Sequence, residues 1–355
     1  MFDVCLITPY YPPHIGGVEL HVANLAKRLN KKYKIAVISS KPSNADFQVK
    51  SIFLPYTPIP LSFPKVSSKI YHSHIPSPFF SIESSKLAKE FNSPHIITYH
   101  NDVVIPDRVN GYKIPSFSKA LIEKFNEKLV IPLLDRADVI IATTRSYAET
   151  SPILYKFIEK VRIVPNGVDI DVFTPSKGIR KDQVVYVGRL VEYKGLANLI
   201  KAMKVVQEVK DVKLVVVGDG EDRFTFEEMC KNLRVKAIFT GKLKLMELIE
   251  VLRKSKLLVL PSFSRLEAFG IVLLEAMACG TPVAGANVPG VGEISSKAGF
   301  VFNDWKELAN IILEVVDNDT LVRKLGKKGR SVVEEKYSWN KVVNELEKIY
   351  NEVIT

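Results

Sequence analysis

Short β-rich apolar runs alternate with amphipathic helical patterns from one end of the chain to the other. That alternation admits little besides βαβ units wound into parallel sheets. In the first half the runs are DVCLITP, KIAVISS, SIFLP, KIYHSH, HIITYH and DVIIATT; in the second they are VRIVP, VVYVG, KLVVVG, AIFTG, LLVLP and TPVAG. Helices are predicted over 17–30, 81–92, 116–136, 145–159, 193–209, 221–233, 244–254, 270–279, 304–335 with a break, and 338–353. A chain of 355 residues accommodates two doubly wound sheets, each with its own core. The segment PNGVDIDVFTPSKG, 165–178, carries Pro, Asn and Gly turn signals at mid-chain, and the interdomain connection is expected there. The stretches 56–64 and 101–115 read as loops long enough to be functional.

Composition excludes several classes. With 46% apolar and 25% charged residues, the chain is neither disordered nor of low complexity. Cys5, Cys230 and Cys279 stand far apart, with no CxxC and no His at zinc-ligand spacing, so they read as small core hydrophobes. The opening MFDVCLITPYYPP reads as a first strand rather than a secretory signal, and a mature start is expected. The longest uncharged stretches, 51–64 and 276–292, are broken by Pro, Gly and Asn, and neither spans a bilayer as one helix. An ordinary cytoplasmic enzyme or binding protein is what remains. Net charge is +11, with 21 Lys and Arg against 14 Asp and Glu in residues 1–170. This lean suits a polyanionic partner. With no nucleic-acid-binding motif, no nucleic acid is expected, and an anionic membrane surface or a phosphorylated ligand leads.

The most informative stretch is PSFSRLEAFGIVLLEAMACGTPVA, 261–284. Gly270 closes a loop and Ile271 opens a helix, so the amides of Phe269, Gly270 and Ile271 gather at the positive end of a helix dipole, where an anionic or hydroxyl-rich ligand fits. Glu267 and Glu275, eight positions apart, could contact different parts of one extended ligand. A carboxylate at 275, inside a strongly apolar helix, needs a partner. In VVYVGRLVEYKG, 184–195, a strand runs into a turn carrying Arg189 and Lys194, two cations that can bracket a diphosphate.

In the first half, Gly16-Gly17 separates a strand from a helix with Glu19 in its first turn, so main-chain amides can approach a phosphate. His100 ends the strand HIITYH, with Asp102 close behind; it reads first as a satisfied structural histidine and second as a donor to a sugar hydroxyl. VVVGDGEDRF has Arg223 where a dinucleotide fingerprint wants its third Gly. Asp169-Ile170-Asp171 follows Pro-Asn-Gly, where the aspartates cap or turn, so no metal is assigned.

Taken together, GGVE after the first strand, VGRLVEYKG, VVVGDGE, FTGKL, the EAFG…E stretch and a late YSW resemble the retaining GT-B glycosyltransferases of family four, the glycosyl transferases group 1, in the expected order over nearly the whole chain. The resemblance implies an α/β protein of two doubly wound Rossmann-like domains facing each other across a cleft. Residues 1–168 would bind the acceptor and 169–337 the nucleotide sugar, with the helix at 338–355 packing back on the first domain. It implies a nucleoside-diphosphate-sugar donor, GDP-mannose or a UDP-hexose, a glycan or lipid-linked acceptor, and no cofactor. By position, Glu267 would contact donor-sugar hydroxyls and Glu275 the ribose, with the amides of Phe269, Gly270 and Ile271 also on the donor. Arg189 and Lys194 would neutralise the diphosphate, Gly16 and Gly17 would approach it from the other domain, and His100 would lie beside the anomeric carbon. Gly241, Lys242 and Leu243 would frame the base. Lys113, Lys119, Lys124 and Lys128 near Tyr112, Phe117 and Phe125 suit either a solvated helix or peripheral contact with an anionic membrane. A noncatalytic nucleotide-sugar-binding subunit of a membrane glycan-assembly complex, and a nucleotide-sugar epimerase, stay open as alternatives.

Overall fold

The computed structural model describes every residue except Ile15, Pro55, Tyr56, Asn110, Gly111, Lys177 and Thr355. The chain divides into two compact units. The first comprises Met1–Ile105, Ser116–Asn166 and Asn340–Thr355; the second comprises Pro106–Pro115 and Gly167–Trp339.

The first unit is built on seven parallel strands: β1 (Phe2–Ile7), β2 (Ile35–Ser40), β3 (Phe47–Val49), β4 (Ser68–Ile75), β5 (His95–Tyr99), β6 (Val139–Ala142) and β7 (Val161–Ile163). Their spatial order is β7-β6-β5-β4-β1-β2-β3, with Val4 in register with Ile35 on one side and Ile70 on the other. Val4, Cys5, Leu6 and Ile7 are all buried, which is why β1 reads as a continuous apolar run rather than an alternating one. The order reverses between β1 and β4, the switch point at which open α/β sheets leave a crevice at their carboxyl ends.

The second unit repeats the plan with six parallel strands: β8 (Lys181–Val187), β9 (Lys213–Val217), β10 (Ala237–Gly241), β11 (Ser255–Leu260), β12 (Val283–Ala286) and β13 (Phe300–Phe302), in the order β10-β9-β8-β11-β12-β13. Successive residues of β8 point to opposite faces. Val184 and Tyr186 join the core under the helices Leu196–Val209 and Trp305–Asp317, and Val185 joins the one under Leu245–Lys254 and Ile271–Ala278. Here the reversal falls between β8 and β11.

Several expectations need correction. VRIVP, assigned to the second half, supplies β7 of the first sheet, where Val161 pairs with Ile140. SIFLP supplies a strand, as expected, but not to the seven-stranded sheet. Ser51–Leu54 forms an antiparallel hairpin with Thr57–Pro60, whose prolines cannot donate to a wider ladder, and Phe47–Val49 takes the sheet edge. The expected loop at 56–64 therefore contains a strand; its Tyr56 lies outside the described residues. The one at 101–115 contains the hairpin Arg108–Val109 with Tyr112–Lys113, and Asn110 and Gly111 lie outside the described residues. The helix predicted over 145–159 stops at Thr150 because Ser151, preceding Pro152, is extended; a 3-10 segment Leu154–Lys160 follows. The helix Val291–Ser296 and strand β13 were not anticipated. All three cysteines are buried, as read from the sequence.

Candidate functional site

At the second unit's switch point, the turn after β8 is pressed onto the loop after β11. Past β8 the chain runs through Gly188 and Arg189, makes a 3-10 turn over Glu192–Lys194 and enters the helix Leu196–Val209 through Gly195. Gly195 has φ 73°, and a Cβ there would lie 2.1 Å from the Pro261 carbonyl oxygen. Any side chain would separate the two turns. Ser262 Oγ donates to the Tyr193 carbonyl at 3.1 Å across the same seam.

This juxtaposition brings Lys194 to Glu267. Lys194 Nζ donates to Glu267 Oε2, with the side chains 21% and 14% exposed, so the pair is largely shielded from solvent. Burial pulls the Lys194 ammonium down, but the charge and hydrogen bond of Glu267 outweigh it and hold the group above its ordinary value. Arg189 is exposed, and its Nη2 donates to the Tyr193 hydroxyl at 2.8 Å. Arg189 and Lys194 lie 6.0 and 5.8 Å from the Tyr193 ring centroid. Arg189, Tyr193, Lys194 and Glu267 thus form one cluster. Neighbouring turns continue it along the sheet end: Gly188 N donates to Val217 O at 3.0 Å, and Gly218 N to Gly241 O at 2.9 Å. Beyond Gly241, Lys242 is exposed and Leu243 packs against the core.

The loop after β11 ends at Gly270, with φ 78°, where a Cβ would lie 2.5 Å from Leu260 Cδ2. The Phe269 side chain is buried edge-on against Tyr337, ring centroids 6.2 Å apart, so only its backbone can serve a ligand. The amides of Phe269, Gly270 and Ile271 sit at the start of the helix Ile271–Ala278, among the donors a helix leaves over. Glu275 lies just over one turn further in. Desolvation alone pushes its carboxyl up to about 7, and no cation or hydrogen-bond donor among the described residues offsets it. None of the described residues supplies the partner that the sequence called for.

In the first unit, Gly16 precedes the helix Gly17–Leu29 and Gly17 is exposed. The Glu19 carboxylate folds back over Gly16 and lies 3.1 Å from His14 Nδ1. His100 follows β5 and is buried, with Nε2 3.1 Å from His74 Nδ1; the two rings stack at 5.4 Å, and His21 meets His100 edge-on at 5.3 Å. His72 stacks on His74 at 4.6 Å and is fixed by the hydroxyls of Tyr350 and Thr98, each at 2.7 Å. Burial lowers His21 to about 4 and His72 to about 3, and holds His74 and His100 well below the usual histidine range, so all four rings are neutral at pH 7. Asp102 accepts from Tyr99, Tyr147 and Ser151 at 2.8, 3.0 and 2.6 Å, which makes it an anchor for the loop after β5. Asp169 Oδ1 accepts from the amides of Asp171 and Val172 at 3.2 and 3.3 Å, the turn role read from the sequence.

Two family models match in tandem: glycosyltransferase family 4 over residues 15–172 and glycosyl transferases group 1 over 170–332. The chain belongs to the group 1 glycosyltransferases. An uncharacterised glycosyltransferase of Methanocaldococcus jannaschii is 26% identical to it over 370 residues, 98% of each chain. N-acetyl-alpha-D-glucosaminyl L-malate synthase of Bacillus anthracis is 30% identical over 238 residues, covering 62% of this chain and 61% of that one. The solved structure of Anabaena HepE in complex with UDP superposes with a TM-score of 0.75 at 16% identity, over 99% of this chain and 100% of that one. The fold of this glycosyltransferase is GT-B, with two parallel-sheet α/β units.

Within the transferase, Arg189, Lys194 and Glu267 come together as one cluster, whereas Glu275 and the turn at Gly241 belong to neighbouring elements of the same unit. Sequence reasoning missed Tyr193, which both cations flank, and the histidines around His100. A signal for the latter was present: HSH in a strand puts His72 and His74 on one face, and His21 lies one turn before the buried Leu25 on its helix.

Proposed function

We propose that the enzyme transfers a hexosyl group from a nucleoside-diphosphate sugar, GDP-mannose or a UDP-hexose, to a glycan or lipid-linked acceptor, with retention of configuration and without a metal ion. The observation that carries this reading is the cluster of Arg189, Lys194 and Glu267 at the switch point of the second unit. Breaking a glycosyl–phosphate bond builds positive charge on the sugar and negative charge on the departing diphosphate. Arg189 offers a bidentate fork to that diphosphate. Lys194, with three N–H donors, can keep Glu267 and take a phosphate oxygen at the same time. Glu267 accepts from sugar hydroxyls, and the partnerless Glu275 takes the ribose diol. The amides of Phe269, Gly270 and Ile271 add donors to the leaving group, and Gly241, Lys242 and Leu243 frame the base. In the first unit, the amides of Gly16 and Gly17 suit a phosphate, and His100, being neutral, can donate a hydrogen bond to a sugar hydroxyl without adding charge. Glu267 is tied to Lys194, which argues against its acting as a covalent nucleophile. Attack by the acceptor on the face the diphosphate leaves, with that phosphate taking the proton, gives retention.

On the acceptor side, the helix Ser116–Arg136 presents Phe117, Leu121 and Phe125 at a four-residue spacing, 79%, 59% and 57% exposed, with Lys124 and Lys128 also exposed. This face lies on an anionic bilayer at the cytoplasmic surface and delivers a lipid-linked acceptor. No helix among the described residues is long and apolar enough to cross a membrane.

The test is a panel of UDP- and GDP-sugars scored by thermal shift, then by slow hydrolysis to free sugar and diphosphate, with the anomer read by NMR. One nucleotide sugar is expected to stabilise the protein and to release an axial product. Binding without turnover would favour the noncatalytic subunit, and conversion of the sugar in place would favour the epimerase.

A further inference from the structure

We propose that His21, His74 and His100 form a binding site for one divalent transition-metal ion of the zinc class. The three side chains come from separate elements: the helix Gly17–Leu29, strand β4 and the residue following β5. One ring nitrogen from each lies within 4.8 Å of the other two, and the ring centroids stand 5.3 to 5.9 Å apart, a near-equilateral arrangement around a common point. All three are buried. The donor set is three imidazoles with no carboxylate, which suits zinc, cobalt, nickel or copper and not magnesium or calcium.

Tetrahedral zinc, with Zn–N bonds of about 2.0–2.1 Å, sets its nitrogens about 3.3 Å apart. His74 Nδ1 and His100 Nε2 already stand at 3.1 Å. From the 4.8 Å limit on the three nitrogens, tetrahedral spacing asks for a closure of at most about 1.5 Å in any pair. In the metal-free contact one of the paired nitrogens carries the shared hydrogen. On binding, that ring changes tautomer, the hydrogen moves to its far nitrogen, and both lone pairs face the ion with no proton lost. His74 has a nitrogen to spare: its Nε2 is buried with no hydrogen-bond partner among the described residues. His72, locked by Tyr350 and Thr98, stacks on His74 and holds its ring in place. The fourth position is left to water or hydroxide, the layout of an open three-histidine site.

The site stands on the cluster alone. Its consequence for turnover rests on the function proposed above: an ion on His100 withdraws the imidazole from the sugar, so zinc inhibits transfer and a chelator restores it. The test uses full-length protein stripped by chelation and titrated with Co²⁺. One equivalent is expected to bind with the visible bands of a four-coordinate cobalt centre and to be displaced by one equivalent of Zn²⁺. His21→Gln and His74→Gln should each weaken binding by at least about 100-fold, while His14→Gln, at an exposed histidine outside the cluster, should not. X-ray absorption on the zinc form of the unmutated protein, which needs no variant to fold, should show three imidazole nitrogens. No stoichiometric binding, a sulfur ligand, or unchanged affinity in both cluster variants overturns the proposal. Stoichiometric binding without inhibition upholds the metal site and removes His100 from the sugar.

Discussion

Replacing Glu275 by glutamine should stabilise the second unit at neutral pH and weaken nucleotide-sugar binding at once. The carboxyl is desolvated without a partner, and its pKa rises from 4.5 to about 7 through that effect alone. At about 1.4 kcal/mol per pH unit, the displacement corresponds to about 3 kcal/mol. The sign is set by the order of the two ionisations. The unfolded chain releases the proton near 4.5 and the folded one only near 7, so stability present below 4.5 is lost across that window and stays lost above it. Glutamine keeps the shape and never ionises. For a folding unit of this size 1 kcal/mol moves Tm by about 2–4 °C, so the variant should melt about 6–12 °C higher than the parent at pH 7.5, and within about 2 °C of it at pH 4.5. The assay is differential scanning calorimetry across that range, reading the transition of the second unit. Parallel curves for the two proteins would show that Glu275 is not held in a desolvated state, and the reasoning would fail. In the same samples the variant should bind the nucleotide sugar about tenfold more weakly, the loss of one hydrogen bond to a charged acceptor. A destabilised group kept for a ligand is a familiar trade between stability and activity.

Other consequences are more direct. Lys194→Ala and Glu267→Ala should each lower the transfer rate by about 10² or more; the double variant should unfold more easily than either single one by less than their sum, with a coupling of about 1–3 kcal/mol in a denaturation cycle. Additive losses would mean that the ion pair is incidental. Transfer should survive EDTA in a coupled assay for released diphosphate, and a loss that magnesium restores would revive a metal role for Asp169 and Asp171. Replacing Phe117 and Phe125 by serine should abolish flotation with anionic liposomes, since each buried ring contributes about 1.5–3 kcal/mol; parent protein that ignores lipid charge would remove the membrane from the acceptor reading.

The principal strands were legible in the sequence because of how parallel sheets are made. Runs such as FDVCLI and KLLVL are buried on both faces and announce themselves without alternation. Two short edge strands, Phe47–Val49 and Phe300–Phe302, were not legible, because three residues each carry too little pattern; Val161–Ile163, equally short, was read as a strand but placed in the wrong half. SIFLP misled for the opposite reason: it has the right composition, but Pro58 and Pro60 in its partner confine it to a hairpin. At the candidate site, residue types pointed to charge and to helix starts. They could not disclose that Lys194 and Glu267 neutralise each other, a consequence of Gly195 letting two turns of distant sequence touch. The histidine cluster was equally silent, since His21, His74 and His100 are 79 positions apart end to end and meet only once the first sheet has formed.

The last helix, Trp339–Ile354, gives nearly all its residues to the first unit, burying Val342, Leu346 and Tyr350 there, and Tyr350 bonds His72. Everything from Gly167 to Trp339 is therefore synthesised before the opening half can close. The later half leaves the ribosome as a nearly uninterrupted stretch and can settle first, while the earlier one waits with an unfilled flank for chaperones to shield.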